Sequence, residues 1–279
     1  MLTKRFFFVL LWFASSSITA QDKLNTPSKT NQGKYYFYWG WNRGSYTNSD
    51  IHFKGTNYNF TLDNVTSTDK QSKFNLNTYL NPIYATIPQF DARFGYNISE
   101  HYSISLGDDH MKYKMIQDQT VKISGEIAVA NYPKYNGTYT NQEIKLTEDF
   151  LKLEHCDGLN YLNFELRRYD ELFNFKKINA GNISISLNEG LGLGAMMPRT
   201  KASLLTNMPR HEFHFAGYAA SAVVGLNIQF WKHFFIQGEL KGGYINMPSI
   251  FTTMDDADRA SQHFYFMQKM VLMGWAFTL

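Results

Sequence analysis

Residues 213–230 read FHFAGYAASAVVGLNIQF, residues 231–233 WKH and residues 234–244 FFIQGELKGGY. In the last of these, Ile236, Gly238, Leu240, Gly242 and Tyr244 share one parity while Gln237, Glu239 and Lys241 share the other. That is the period-two pattern of a strand with one oily and one wet face. The first segment alternates in the same way, Val224, Leu226, Ile228 and Phe230 opposing Ser221, Gly225, Asn227 and Gln229, and the short break makes the pair a hairpin. Full charges on the wet parity of a strand of about ten residues, with aromatic rings on the oily parity beside the turn, are marks of a transmembrane β-strand.

Outward to the N-terminus, residues 1–20 hold Lys4 and Arg5, an apolar run from Phe6 to Ala14 and the small-residue end SSSITA before Gln21. This reads as a cleaved secretory signal peptide whose apolar core is too short to span a bilayer as a helix. No other stretch approaches the ~18 apolar residues a spanning helix needs. The single cysteine, Cys156, lies too far from the signal peptide to carry a lipoprotein's lipid and has no second thiol for an internal disulfide. Without Lys4 and Arg5 the chain has 25 basic and 24 acidic residues, so no basic field argues for nucleic acid. Aromatics make up 16% of residues, a share suited to rings lining two membrane interfaces.

After a polar lead-in at 21–33, expected to be disordered, strands are expected at Lys34–Tyr46, Gln89–Ile98, Tyr102–Tyr113, Asn160–Leu172 and Ile183–Ala195. The two strands of the hairpin and a last strand at Ser261–Leu279 complete eight. Residues 47–88 and 115–158 are rich in turn residues and read as outer loops, the first with a candidate strand at Tyr58–Val65 that rises above the membrane and the second with some β structure at Thr120–Ile127. Gaps between strands alternate long and short, which an up-and-down antiparallel transmembrane barrel predicts and a sandwich does not. The fold class is therefore all-β, with short periplasmic turns and long outer loops.

In this pattern, from Lys34 to Leu279, the chain resembles the eight-stranded outer-membrane barrels of Gram-negative bacteria, of the outer-membrane protein A, X and W kind. The closing residues 270–279, MVLMGWAFTL, resemble the C-terminal β-signal of that family, which usually ends in Phe where this chain has Leu279. No peptidoglycan-binding domain follows the last strand, so cell-wall tethering is not expected. The resemblance implies export to the bacterial outer membrane, contact with outer-membrane lipid and lipopolysaccharide, and the barrel-assembly machinery as partner during biogenesis. It implies no cofactor.

Asp91, Arg93, Glu165, Arg167, Glu239 and Lys241 all take the inward parity of their strands. An eight-strand interior is just wide enough for side chains, so these six are expected to form a paired charge network; a charge-lined passage for small ions is the alternative. Glu189 falls on the lipid-facing parity, and a β-bulge or register shift is expected to turn it inward. Six of the eight histidines lie toward the outer strand ends; His110, His211, His214 and His263, with Asp108, Asp109 and Asp157 nearby, form a candidate rim cluster for a metal or other ligand. No HExxH spacing supports a defined metal site. His214 and Ser221 are candidates for acyl transfer on lipid A, though seven residues of strand, roughly 23 Å, separate them. The expected function is a non-enzymatic outer-membrane barrel whose long outer loops contact external ligands, lipopolysaccharide or envelope partners. A small-solute channel and a lipid A-modifying enzyme are the alternatives.

Trp275, Phe277 and Leu279 share the outward parity of the last strand. Phe277→Asp puts a carboxylate at the lipid interface, a cost of only ~0–1 kcal/mol, so a severe loss of membrane-inserted protein on fractionation is the expected sign of failed recognition. Leu279→Phe is expected to insert at least as well as the parent. Normal insertion of both Phe277→Asp and a chain ending at Gly274 would show that these residues are no insertion signal.

Overall fold

The computed structural model describes residues 31–279 except 85, 86, 131, 179, 180, 206 and 232. The signal peptide read at 1–20 and the lead-in up to residue 30 lie outside the described residues. Of the lead-in, residues 31–33 form a turn, and the Gly33 N–H donates to the Asn97 carbonyl at 2.9 Å.

The described strands are β1 (Tyr35–Tyr46), β2 (Ser49–Gly55), β3 (Tyr58–Val65), β4 (Ser67–Asp69), β5 (Phe90–Asn97), β6 (Tyr102–Met115) and β7 (Thr120–Ile127). They continue with β8 (Gly137–Lys145), β9 (Leu151–Ile178), β10 (Gly181–Pro198), β11 (Lys201–Leu204), β12 (Gly217–Phe230), β13 (Phe234–Phe251) and β14 (Arg259–Phe277). Eight of them pair antiparallel in the order β1, β5, β6, β9, β10, β12, β13, β14. The ring closes because β14 also pairs with β1, from Tyr35 opposite Phe277 to Tyr46 opposite Phe266. These are the eight strands expected from the alternation.

Period two decides which way each side chain faces. Along β14, burial alternates from Ala260 to Met273. The outward parity of the ring exposes Leu106, Phe164, Leu166, Leu191, Leu193, Leu240 and Val271, an inversion of the usual soluble arrangement. Rings gather at the end where the short turns lie. Tyr35 stands 5.7 Å from Phe94 and 6.2 Å from Phe277, and Phe234 stands 6.5 Å from Trp275, whose other face takes His233 at 5.5 Å.

The far end departs from the expected loops. Residues 47–88 and 115–158 carry β2, β3, β4, β7 and β8, with β3 and β7 where β structure was expected; among the described residues the first stretch also holds a five-residue helix, α1 (Leu76–Leu80), and a 3-10 turn at Pro82–Tyr84. Where β14 outruns β1, its residues Arg259–Gln262 pair with β2, and the sheet continues through β3 and β7 to β8. The outer part of β9 takes β11 instead, Leu151 lying opposite Leu204. The fourth strand therefore begins at Leu151, not Asn160, and runs to Ile178, past the expected Leu172. At ~3.3 Å per residue, β9, β13 and β14 far exceed the 9–11 tilted residues that cross a bilayer. Their surplus carries a sheet-built head.

The head is held by ordinary apolar burial. Ile51, Phe53, Phe60, Leu62, Ile123 and Phe150 are fully covered, and the same cluster runs without interruption into the ring through Tyr113, Phe264, Phe266, Tyr161 and Ile245. Phe60 lies 5.3 Å from Phe53 and 5.9 Å from Phe150. At the junction, Gln262 Nε2 donates to Ser49 Oγ and to Tyr113 Oη, each at 2.7 Å.

Glu189 stays on the outward face and is exposed. The irregularity in the β9–β10 pairing falls between Ile185 and Ser186, closer to the hairpin tip, and leaves the parity of Glu189 unchanged. The expected inward turn does not occur because Arg168 stands directly opposite on β9, beside Tyr102, the first residue of β6, so the carboxylate sits at the aromatic rim with a cation as neighbour.

Ring closure leaves no space at Gly40, where an added Cβ would collide with the Val271 carbonyl across the β1–β14 seam. At Gly238 an added Cβ meets nothing within 4 Å. Gly40→Ala is expected to lower stability in urea by about 1–3 kcal/mol through overpacking, and Gly238→Ala to change it by less than ~0.5 kcal/mol. Equal effects would place the seam elsewhere.

Candidate functional site

The inward residues of the ring form a cross-linked layer of charge. Arg93 on β5 donates from Nε to Tyr38 Oη at 2.8 Å, from Nη1 to Ser105 Oγ at 3.3 Å and from Nη2 to Asn163 Oδ1 at 2.6 Å. Its Nη2 also lies 3.0 Å from Glu165 Oε1 and 3.3 Å from Asp109 Oδ1. Arg167 on β9 donates to Glu165 Oε2 at 2.6 Å, to both carboxylate oxygens of Glu239, and to Tyr38 Oη at 2.9 Å. Lys241 on β13 bridges Asp109 and Glu165, the second at 2.8 Å. Gln237 donates to Glu239 and accepts from Asn227 Nδ2 at 2.8 Å. Arg93, Glu165, Arg167 and Lys241 are no more than 1% exposed.

Five of the six residues expected in the network are thus joined in it. The sixth, Asp91, is equally buried and lies opposite Asp109 across the β5–β6 pairing, but neither of its carboxylate oxygens makes a hydrogen bond. Members outside the six are the polar Tyr38, Ser105, Asn163, Asn227 and Gln237 and the charged Asp109. Asp109 continues the inward parity of Ser103, Ser105 and Gly107 and was legible from it; Tyr38 looked like one more ring in the aromatic first strand. Room for the layer comes from β10, whose inward positions 190, 192 and 194 are glycines: a Cβ at Gly190 would stand 2.7 Å from Arg167 Cγ, and one at Gly192 would stand 2.6 Å from Ser221 Oγ.

The rim histidines are not brought together. His110 Nδ1 donates to Asn160 Oδ1 at 2.7 Å, and the ring stacks on Phe90 at 4.9 Å. His214 stacks on Phe251 at 4.0 Å, accepts the Phe251 N–H at Nε2 over 3.0 Å and faces the Glu212 carbonyl with Nδ1. That fixes its tautomer, and burial holds its imidazole below the usual histidine range. His263 is exposed on the outward parity of β14, 6.1 Å from the Tyr244 ring, and His211 is exposed on a loop. His110 and His263 stand on the outward parity of β6 and β14, with β1 and β5 between those strands in the ring, and His211 and His214 lie in the connection before β12. Among the described residues no three His, Cys, Asp or Glu side chains are grouped as a metal ion would require. Ser221 lies inside the ring, 3.2 Å from Tyr161 Oη, and so is engaged away from His214.

No family model matches the chain, and no curated protein matches it. The likenesses are structural. The outer-membrane protein AlkL, solved in lipid bilayers, is 9% identical over 93% of this chain and 97% of its own, with a TM-score of 0.40. OprG of Pseudomonas aeruginosa is 9% identical over 90% and 98%, with a TM-score of 0.40, and Ail of Yersinia pestis 10% identical over 86% and 99%, with a TM-score of 0.27. At such scores the fold assignment stands on the closed ring itself.

Removing one partner of a fully buried pair leaves the other charge stranded. Glu239→Ala is expected to cost about 3 kcal/mol or more, because Arg167 keeps only Glu165. Glu148→Ala, which breaks an exposed pair with Lys152, is expected to cost less than ~0.5 kcal/mol. Equal, small effects in urea unfolding would mean that water reaches the layer.

Proposed function

We propose that the chain is an up-and-down transmembrane β-barrel of the bacterial outer membrane, non-enzymatic and closed to solutes, that holds its β-sheet head outside the membrane to contact external ligands, lipopolysaccharide or envelope partners. One observation carries this reading: the apolar cluster that fills the head is the same cluster that stoppers the outer half of the ring. A head joined to its ring by a shared core is a rigid platform, not a set of loops. The outward apolar belt and the aromatic rim support a bilayer as the surrounding solvent.

The channel alternative loses its support to the same feature. Charged side chains fill the middle of the ring, and Tyr113, Phe264, Phe266 and Tyr161 lie buried above them. The acyl-transfer alternative needs a histidine free to take a proton from a serine, and both nitrogens of His214 face backbone groups.

The mature chain is expected in the outer-membrane fraction as a heat-modifiable band, and in planar bilayers it is expected to give no stepwise conductance. Recovery as a soluble periplasmic protein would end the membrane reading, while discrete conductance steps would end only the closed one.

A further inference from the structure

The segment between β4 and β5 is laid across the outside of the ring. Its Tyr79, in α1, is buried: the hydroxyl accepts from Arg43 Nη2 at 2.8 Å and donates to the Ser72 carbonyl at 2.9 Å, and the aromatic ring stands 6.0 Å from Trp41. Trp41 and Arg43 take the outward parity of β1. At the other end of the segment the Ile87 carbonyl accepts from Ser72 Oγ at 3.1 Å and from Lys112 Nζ, which shares the parity of the exposed Leu106 on β6. These bonds close the segment on itself and clamp it to two strands at once.

What meets the ring is Tyr79 and backbone carbonyls; what turns away is apolar. Phe74, Leu76, Leu80, Ile83 and Ile87 are between 46% and 82% exposed, the reverse of a loop folded in water. Residues 74–90 include no charged side chain. The asparagines bond within the segment: Asn75 Oδ1 accepts the Asn77 N–H at 2.8 Å, Asn81 Oδ1 the Ile83 N–H at 3.0 Å, and Asn81 Nδ2 donates to Asn77 Oδ1 at 3.0 Å. Backbone donors satisfied from within suit surroundings that offer no water.

This face is continuous with the apolar belt. Trp39 and Trp41, 4.9 Å apart, lead from the belt to Tyr79, which lies 5.3 Å from Phe74. Trp41 stands opposite Val271, an exposed residue of the belt. From Tyr35 at the aromatic rim, the strand to Trp41 is roughly 20 Å long and, at a tilt of about 40°, rises roughly 15 Å, into the upper half of a belt about 25 Å tall. We infer that this face, from Phe74 to Ile83 with Ile87, inserts among the acyl chains of the outer leaflet, so that a segment lying in the membrane surface fixes the depth of the ring. The inference rests on the reading of the ring as a membrane barrel and adds an anchor that the alternating strands do not supply.

The test folds the full mature chain into phosphatidylcholine vesicles, with Cys156→Ala removing its one thiol, and places a nitroxide label at Leu76→Cys or Ile83→Cys. Leu106→Cys in the belt and Thr138→Cys on β8 are the references. All four side chains are exposed, so the labels replace no buried contact, and the heat-modifiable band reports folding. At 76 and 83, collisions with oxygen are expected to exceed those with a water-soluble nickel chelate by the margin seen at 106, while nickel collisions at 138 are severalfold more frequent. Nickel access at 76 and 83 equal to that at 138, with 106 shielded, would overturn the anchor and leave the barrel standing. Nickel access at 106 as well would overturn both. Spin–spin broadening at 76 and 83, with shielding from oxygen and nickel alike, would put a second copy of the chain on this face and overturn the acyl-chain occupant.

Discussion

An eight-stranded ring must fill its own interior, and here it does so with charge that has no solvent to fall back on. The solution is a shared hydroxyl. Tyr38 Oη accepts from both Arg93 and Arg167, so the two guanidinium groups hang from one acceptor on β1 while their remaining donors reach β6, β9 and β13. Lys241 then ties Asp109 on β6 to Glu165 on β9 across the ring. Such a layer resists the flattening of the ring, because any strand that moves out strands a charge. The glycines of β10 are the counterpart of this crowding, giving up side chains on the strand that faces the bulkiest groups.

The same strands serve two opposite rules along their length. Inside the ring the inward parity of β14 carries Gln268 and Met270, against a charged neighbour on β13; four residues farther out it carries Phe264 and Phe266 in the apolar cluster. The outward parity carries Trp275, Met273, Val271 and Met267 in the ring, interrupted by Lys269 opposite Arg43, and is polar where β14 pairs with β2, with Arg259 and Ser261. A strand long enough to change its environment changes its pattern with it. The junction is marked by Gln262, whose amide joins Ser49 at the start of β2 to Tyr113 near the end of β6.

This explains what was legible in the sequence and what was not. The eight ring strands were readable because an apolar outward face and a filled interior impose strict alternation, and β12 and β13 show it around the Phe230–Phe234 turn. Within the head, Tyr58–Val65 and Thr120–Ile127 were legible and are β3 and β7, but β2, β4 and β8 were read as loop because they are separated by turn residues and each alternates for too few residues to stand out. Ile51, Phe53, Phe60 and Leu62 do alternate, but only their pairing with β14 and β7 makes that visible as one sheet. Asp109 was misassigned for another reason. Its neighbours Asp108 and His110 suggested a rim cluster, although its parity pointed inward with Ser105.

A head built as an open sheet acquires a problem that the ring avoids by closing: it has an edge. That edge is β8, which among the described residues pairs only with β7. Unpaired backbone groups outside a membrane invite a second chain, and several features of β8 oppose this. Its register against β7 breaks between Ile123 and Gly125, and Asn141 adopts a φ of +53°, which bends the strand away from a flat template. Glu143 and Lys145 place both signs of charge on its second half, and most of its side chains are exposed. The head thus keeps an open sheet whose edge discourages strand pairing, a problem that a barrel with plain loops does not have.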